Sequence, residues 1–209
     1  MIKVLNFPFC NFHSLVRYFN TRNLNYEIYD SSLSLKIEDI LFIPGVGTFG
    51  LGMEYIDKKS LKKPIIDHAL NGGKIIGICL GMQLFLSSSD ESPKIKGLDL
   101  IEGSCELLKA NEEFSVPHIG WNSLEVSSNN SSSLQKLSNL NGGRVSDFYF
   151  VHSFHCKTKD NSVISSFIRE KNNHFAASLK FKNIEGFQFH PEKSGKIGYQ
   201  LLDIALKSK

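Results

Sequence analysis

At 209 residues the chain has room for one α/β domain that buries roughly 70% of its unfolded surface, so it needs no disulfide staples. Hydrophobic residues at 41% and charged residues at 22% fit an ordinary globular protein. A net charge of +3 without a dense Lys/Arg block argues against nucleic acid as a partner, and no apolar run approaches the ~18 residues of a membrane-spanning helix.

Ile2–Leu5 reads as a short buried strand, residues 14–20 (SLVRYFN) have helical apolar spacing, and Tyr26–Tyr29 forms a second strand. Residues 39–43 (DILFI) are a continuous apolar run ended by Pro44 and Gly45, and a Gly-rich loop follows. Residues 61–70 look helical, with Pro64 near the first turn, and Asn71-Gly72-Gly73 stops them. Lys74–Ile78 is a strand, and residues 80–86 restart a helical pattern. The alternation implies βαβ units and a parallel sheet with helices on both faces, in one domain over residues 1–209.

The middle is richer in short strands, at residues 104–108, 122–126 and Phe148–His152, which predicts some antiparallel pairing. Residues 127–143 are Ser/Asn-rich and read as an exposed loop or a polar surface helix. The end alternates again: strands at 175–180 and 186–190, then a helix near 198–207.

The four cysteines, Cys10, Cys79, Cys105 and Cys156, are irregularly spaced and form no CxxC, which predicts a reducing compartment and free thiols. The N-terminal residues lack the regions of a signal peptide, so the expected location is cytoplasmic.

Cys79 has the most informative context. In KIIGICLGMQLFL (74–86) a buried strand runs into Cys79, a helix begins at once, and Gly77 and Gly81 flank the cysteine. This is the cysteine form of a nucleophile elbow, a sharp turn that pushes one side chain into the crevice beyond the strand ends. A helix start beside the sulfur favours thiolate. In GFQFHPEKS (186–194) a second strand delivers His190, with Glu192 two residues on. A thiol needs a base, and the base needs a group that fixes its tautomer; His190 and Glu192 supply both.

CLGMQ (79–83) together with FHPEKSG (189–195) resembles the class I, or triad, glutamine amidotransferases. PGVGTFG (44–50), GLDLIEG (97–103), VPHIGWN (116–122) and YFVHSF (149–154), in this order, resemble the glutaminase subunits of imidazole glycerol phosphate synthase, over nearly the whole chain. The resemblance implies a Cys79–His190–Glu192 triad that hydrolyses L-glutamine with no metal and no organic cofactor. It implies an oxyanion hole from Gly45, Val46, Gly47 and the amide of Leu80. It puts Gln83, Glu91, His152, Ser153 and Phe154 near the bound glutamine. Asn11, Trp121 and Lys193 would face a (β/α)₈-barrel cyclase subunit that receives the ammonia in histidine biosynthesis.

One departure stands out. The family opens with Asp-Tyr-Gly-x-Gly-Asn after its first strand, whereas here Asn6-Phe7-Pro8-Phe9-Cys10-Asn11 keeps only the final Asn. Loss of both glycines alters the conformations open to that loop. This favours a second reading, a related glutaminase serving another synthase, such as one modifying sugars for a surface polysaccharide.

Other signals are discounted. The literal GxGxxG of Gly45–Gly50 lacks the acidic strand end of a dinucleotide site, because Asp67 falls inside a predicted helix. His152, His155 and Cys156 lack a second ligand pair at zinc spacing. His155 reads as surface polarity, Trp121 as core or partner face, and Cys10, Cys105 and Cys156 as structural.

Overall fold

A computed structural model describes every residue except 31–32, 111–113, 128–130, 144, 146, 171–172 and 209. In chain order the elements are β1 (Ile2–Leu5), α1 (His13–Thr21), β2 (Tyr26–Tyr29), β3 (Ile40–Ile43), α2 (Phe49–Lys58), α3 (Lys62–Leu70), β4 (Lys74–Ile78), α4 (Leu80–Gln83), β5 (Ser88–Ser89) and β6 (Gly103–Leu107). There follow β7 (His118–Asn122), β8 (Glu125–Val126), α5 (Ser133–Leu140), β9 (Phe148–His152), β10 (Phe154–Thr158), β11 (Ile164–Glu170), β12 (Asn173–Phe181), β13 (Ile184–Phe187) and α6 (Gly195–Lys207).

The main sheet has the order β2-β1-β3-β4-β13-β12-β11-β8. Pairings from β2 through β13 are parallel, and those from β13 to β12, β11 and β8 are antiparallel. Buried apolar residues fall into two clusters, one on each face. Leu41, Ile43 and Ile75 join the cluster with Met53 and Ile56 of α2 and Ile65 of α3. Phe42, Ile76 and Ile78 join the one with Leu15 of α1, Leu134 of α5 and Leu201 of α6. Alternate residues of a strand point to opposite faces, so two covered faces require the unbroken apolar runs of β3 and β4. Smaller sheets, β10-β6-β5 and β7-β9, flank the main one.

Several elements differ from expectation. The Gly-rich loop gives way to a full helix, α2, capped by the Thr48 side chain accepting from the Leu51 amide at 3.3 Å. Its Gly50 and Gly52 sit against Ser92 and Leu84, so the glycines serve close packing inside a helix. The helix expected over 80–86 is the single turn α4, after which Leu98, Leu100 and Ile101 amides draw the carbonyls of Leu84 and Phe85 into loop contacts. The strand expected at 122–126 is divided between β7 and β8, which belong to different sheets.

The Ser/Asn-rich stretch, whose residues 128–130 lie outside the described ones, contains α5. That helix is polar in sequence but buries Leu134 and Leu137, and Ser132 caps it by accepting from the Gln135 amide at 3.2 Å. β11 was not expected at all; it packs through an antiparallel pairing with β12 that carries a register shift. No helix among the described residues is long and apolar enough to cross a membrane.

Candidate active site

β4 and β13 are parallel neighbours, with Phe187 level with Ile78, so whatever follows each strand meets at one end of the sheet. Cys79 comes directly after β4. Its φ of 52° and ψ of −107° place a non-glycine residue in a costly conformation, held because its amide donates to the Phe187 carbonyl at 2.7 Å. The turn works only with no side chain at Gly81, where a Cβ would overlap the Ile43 carbonyl oxygen.

The strand expected to carry His190 ends at Phe187. Three residues then bend away: Gln188 is tied by its amide to Ala177 O at 2.8 Å, and His190 by its amide to Tyr149 O at 2.9 Å. Ser194 braces the same turn, donating to His190 O at 2.6 Å and accepting from the Tyr149 amide at 3.0 Å. His190 is 2% exposed, and its Nδ1 lies 2.8 Å from Glu192 Oε1. Its Nε2 is buried and has no hydrogen-bond partner among the described residues. Burial pulls the imidazole pKa down, but the Glu192 carboxylate and the Cys79 sulfur outweigh it and raise it to about 10. The ring is therefore held as imidazolium at neutral pH.

A cavity of about 270 Å³ opens beside Cys79, lined by Val46, Gly47, Gln83, Glu91, Pro117 and the 151–154 segment. That volume is just under the ~300–1,000 Å³ of drug-sized pockets and suits a ligand the size of an amino acid. Gln83 is 6% exposed and donates to Phe154 O at 3.1 Å and to Gln188 Oε1 at 3.2 Å. Glu91 accepts from the Phe49 amide at 2.6 Å, bringing a carboxylate to the cavity wall at the start of α2. His152 Nδ1 lies 2.8 Å from Phe154 O and its Nε2 lies 3.0 Å from His118 Nδ1. Burial above all drives the His152 pKa down to about 3, so this ring stays neutral; its Nδ1 donates to the carbonyl and its Nε2 accepts from His118.

The four expected oxyanion groups also lie here. Gly45 and Leu80 are buried, Val46 is half-buried and Gly47 exposed, with φ at +128°. The Leu80 amide points at the Gly45 carbonyl, 3.4 Å away. The Leu80 amide is thus engaged within the protein. Asn11 and Lys193 are exposed, and Trp121 is 55% exposed, which removes the core reading of that residue. Trp121 lies 5.8 Å from the Tyr149 ring, which lies 6.4 Å from His190.

Sequence reasoning overlooked two residues. Gln188 is fully buried, and its amide nitrogen lies 3.7 Å from Cys79 Sγ. Its signal was a lone amide inside the apolar run Gly-Phe-Gln-Phe. His118 is buried against His152, a contact made only by the pairing of β7 with β9. His155 is half-buried against Phe175 rather than free on the surface. Cys105 and Cys156 are buried opposite one another on β6 and β10.

Fold and site together place a cysteine at a strand-to-helix elbow and a His–Glu pair just beyond the neighbouring strand end of an α/β fold. The model of the class-I glutamine amidotransferase family matches residues 4–203, and the chain belongs to that family. Within it, the chain is similar to proteins described as imidazole glycerol phosphate synthase subunit HisH. It is 33% identical to that of Listeria monocytogenes, over 97% of this chain and 93% of the relative. It is 31% identical to that of Chlorobaculum tepidum, over 97% of both chains. It is 41% identical to that of Pyrococcus furiosus, over 78% of this chain and 79% of the relative. Among solved structures, PurLQS from Thermotoga maritima superposes with a TM-score of 0.74 at 17% identity, over 99% of this chain and 97% of that one. A glutamine amidotransferase from Thermotoga maritima superposes at 0.61 with 16% identity, over 97% of this chain and 80% of that one. These two share the fold.

Proposed function

We propose that the chain is the glutaminase subunit of an imidazole glycerol phosphate synthase, hydrolysing L-glutamine to glutamate and ammonia and passing the ammonia to a (β/α)₈-barrel cyclase subunit in the cytoplasm. The observation that carries this reading is the 2.8 Å His190–Glu192 contact beside the strained Cys79 elbow, at the mouth of an amino-acid-sized cavity. One domain spanning 1–209 is part of the reading, supported by the family match to residues 4–203. The likeness to HisH subunits of imidazole glycerol phosphate synthases weighs toward the histidine pathway and against a synthase that modifies sugars.

In this reading the Cys79 thiolate attacks the carboxamide carbon of glutamine, and the carbonyl electrons move onto oxygen. His190, as imidazolium, gives its proton to the amide nitrogen, the C–N bond breaks, and ammonia leaves. The γ-glutamyl thioester is then attacked by water, from which His190 takes a proton, and glutamate departs. Glu192 keeps His190 oriented and compensates its charge. The Val46 and Leu80 amides are the proposed oxyanion donors, the Leu80 amide once released from Gly45 O; one such donor is worth about 10²–10³ in rate. Glu91 matches the α-ammonium of the substrate, and Gln83 with the 151–154 backbone matches its carboxylate and carboxamide.

The test is glutamate release by the purified chain alone, with the barrel subunit from the same source, and with that subunit plus its ribonucleotide substrate. Slow turnover alone and strong stimulation by the loaded barrel are expected. Full turnover without a partner, or no stimulation with it, would count against the assignment.

A further inference from the structure

Gln188 follows β13 directly, as Cys79 follows the neighbouring β4. It is fully buried, and its backbone amide is tied to Ala177 O of β12 at 2.8 Å. The Cys79 amide donates to Phe187 O at 2.7 Å, so the two residues are held side by side. The Gln188 side chain ends a series of amide contacts whose directions admit a single assignment. Gln83 meets Phe154 O at 3.1 Å and the Gln188 side chain at 3.2 Å with one and the same terminal atom. A main-chain carbonyl only accepts, so that atom of Gln83 is its NH2 group. The Gln188 atom it meets must then accept, and is Oε1. This leaves the Gln188 NH2 as the end beside Cys79 Sγ, 3.7 Å away. The same sulfur lies 3.9 Å from Val151 O.

These two contacts treat the two forms of the sulfur differently. A thiol gives its hydrogen to Val151 O, whereas a thiolate has none to give and the carbonyl dipole opposes it. The Gln188 N–H becomes a charge-assisted donor once the sulfur is anionic, and such bonds are shorter and roughly twice as strong as neutral ones. We propose that Gln188 is a further catalytic residue of the glutaminase reaction: its side-chain amide donates to Cys79 Sγ and stabilises the thiolate, first as nucleophile and again as leaving group when water opens the thioester. His190 gives up a proton and regains one during turnover. An amide does not titrate, so Gln188 is a donor at every step. Gln83 then acts twice, lining the cavity and fixing the orientation of Gln188. The role in turnover rests on the glutaminase reading; the effect on the sulfur does not.

The experiment compares the wild-type chain with Gln188→Met, which keeps the length of the side chain and loses the donor, and Gln188→Leu, which is similar in volume and loses it too. It measures kcat and KM for glutamine, the rate at which iodoacetamide alkylates Cys79 at neutral pH (read on the peptide that carries it), and thermal unfolding. In Gln188→Met, kcat should fall about tenfold with KM within about twofold, the scale of one hydrogen bond to a charged group. Alkylation of Cys79 should slow by a similar factor, because the thiolate is the reactive form. Gln188→Leu should show the same losses, and it carries the test if Gln188→Met does not fold. Alkylation unchanged from wild type in a folded variant overturns the proposal, whatever the activity. A rise in KM with kcat unchanged overturns the catalytic role and leaves Gln188 as packing behind the substrate site. Should even the wild type release no glutamate, the glutaminase reading falls, and with it the role in turnover, while alkylation still decides the effect on the sulfur.

Discussion

The chemistry turns on a handful of side chains that burial and pairing hold in unusual charge states. Cys79 is 6% exposed and has no rival among the other cysteines at the cavity wall. Cys79→Ala should therefore lower glutamate release by at least about 10³-fold, the order seen when a nucleophile is removed, with the unfolding midpoint little changed. Near-normal release from a folded Cys79→Ala protein would remove it as nucleophile. His152 titrates in the opposite sense to His190. Its folded pKa of about 3 lies below the ordinary value of 6.5, so its contribution to stability is complete above pH 6.5 and is lost as pH falls toward 3. His190, raised to about 10, contributes fully below pH 6.5 and loses that contribution as pH rises through 10. Thermal unfolding between pH 7 and pH 4 should accordingly fall more steeply for wild type than for His152→Gln. Equal slopes would show that His152 is not a buried neutral ring.

Elements matter here through what their ends present. β4, α4 and β3 meet so closely that Gly81 faces the Ile43 carbonyl with no room for a methyl group. Gly81→Ala should cost about 3 kcal/mol or more, at the upper end for overpacking, because a backbone carbonyl cannot rotate away as a side chain can. Denaturant unfolding of that variant would measure it, and a loss under about 1 kcal/mol would mean that the elbow has slack. The same closeness explains why sequence periodicity misread this region. Gly50 and Gly52 suggested a loop, yet in α2 they let the helix pack on Ser92 and Leu84. α4 stops after one turn although the apolar pattern runs on through Leu84, Phe85 and Leu86, because those residues are buried in a loop rather than along a helix.

At the scale of the whole molecule, the exposed Trp121, Asn11 and Lys193 are the residues of the proposed docking face. Trp121 stands half out of β7 beside Tyr149, whose backbone holds His190 and Ser194. A large exposed aromatic at such a point fits an interface anchor. Trp121→Ala should weaken binding of the barrel subunit by about 2 kcal/mol, roughly thirtyfold in Kd, by titration calorimetry. Unchanged affinity would move the docking face elsewhere.

The sequence by itself determined the triad candidates, the parallel half of the sheet and the family. Those signals are local: an elbow needs its glycines within two residues of the cysteine, the base and its orienting carboxylate are two residues apart, and a strand buried on both faces reads as an unbroken apolar run. The tertiary structure alone decided the rest. It brought His118 onto His152 through a strand pairing across 34 positions, set Gln188 beside the thiol, and turned Trp121 outward. It also put Phe9 against Gly47. No pattern along the chain encodes these contacts, because each depends on which surfaces meet once the sheet has closed.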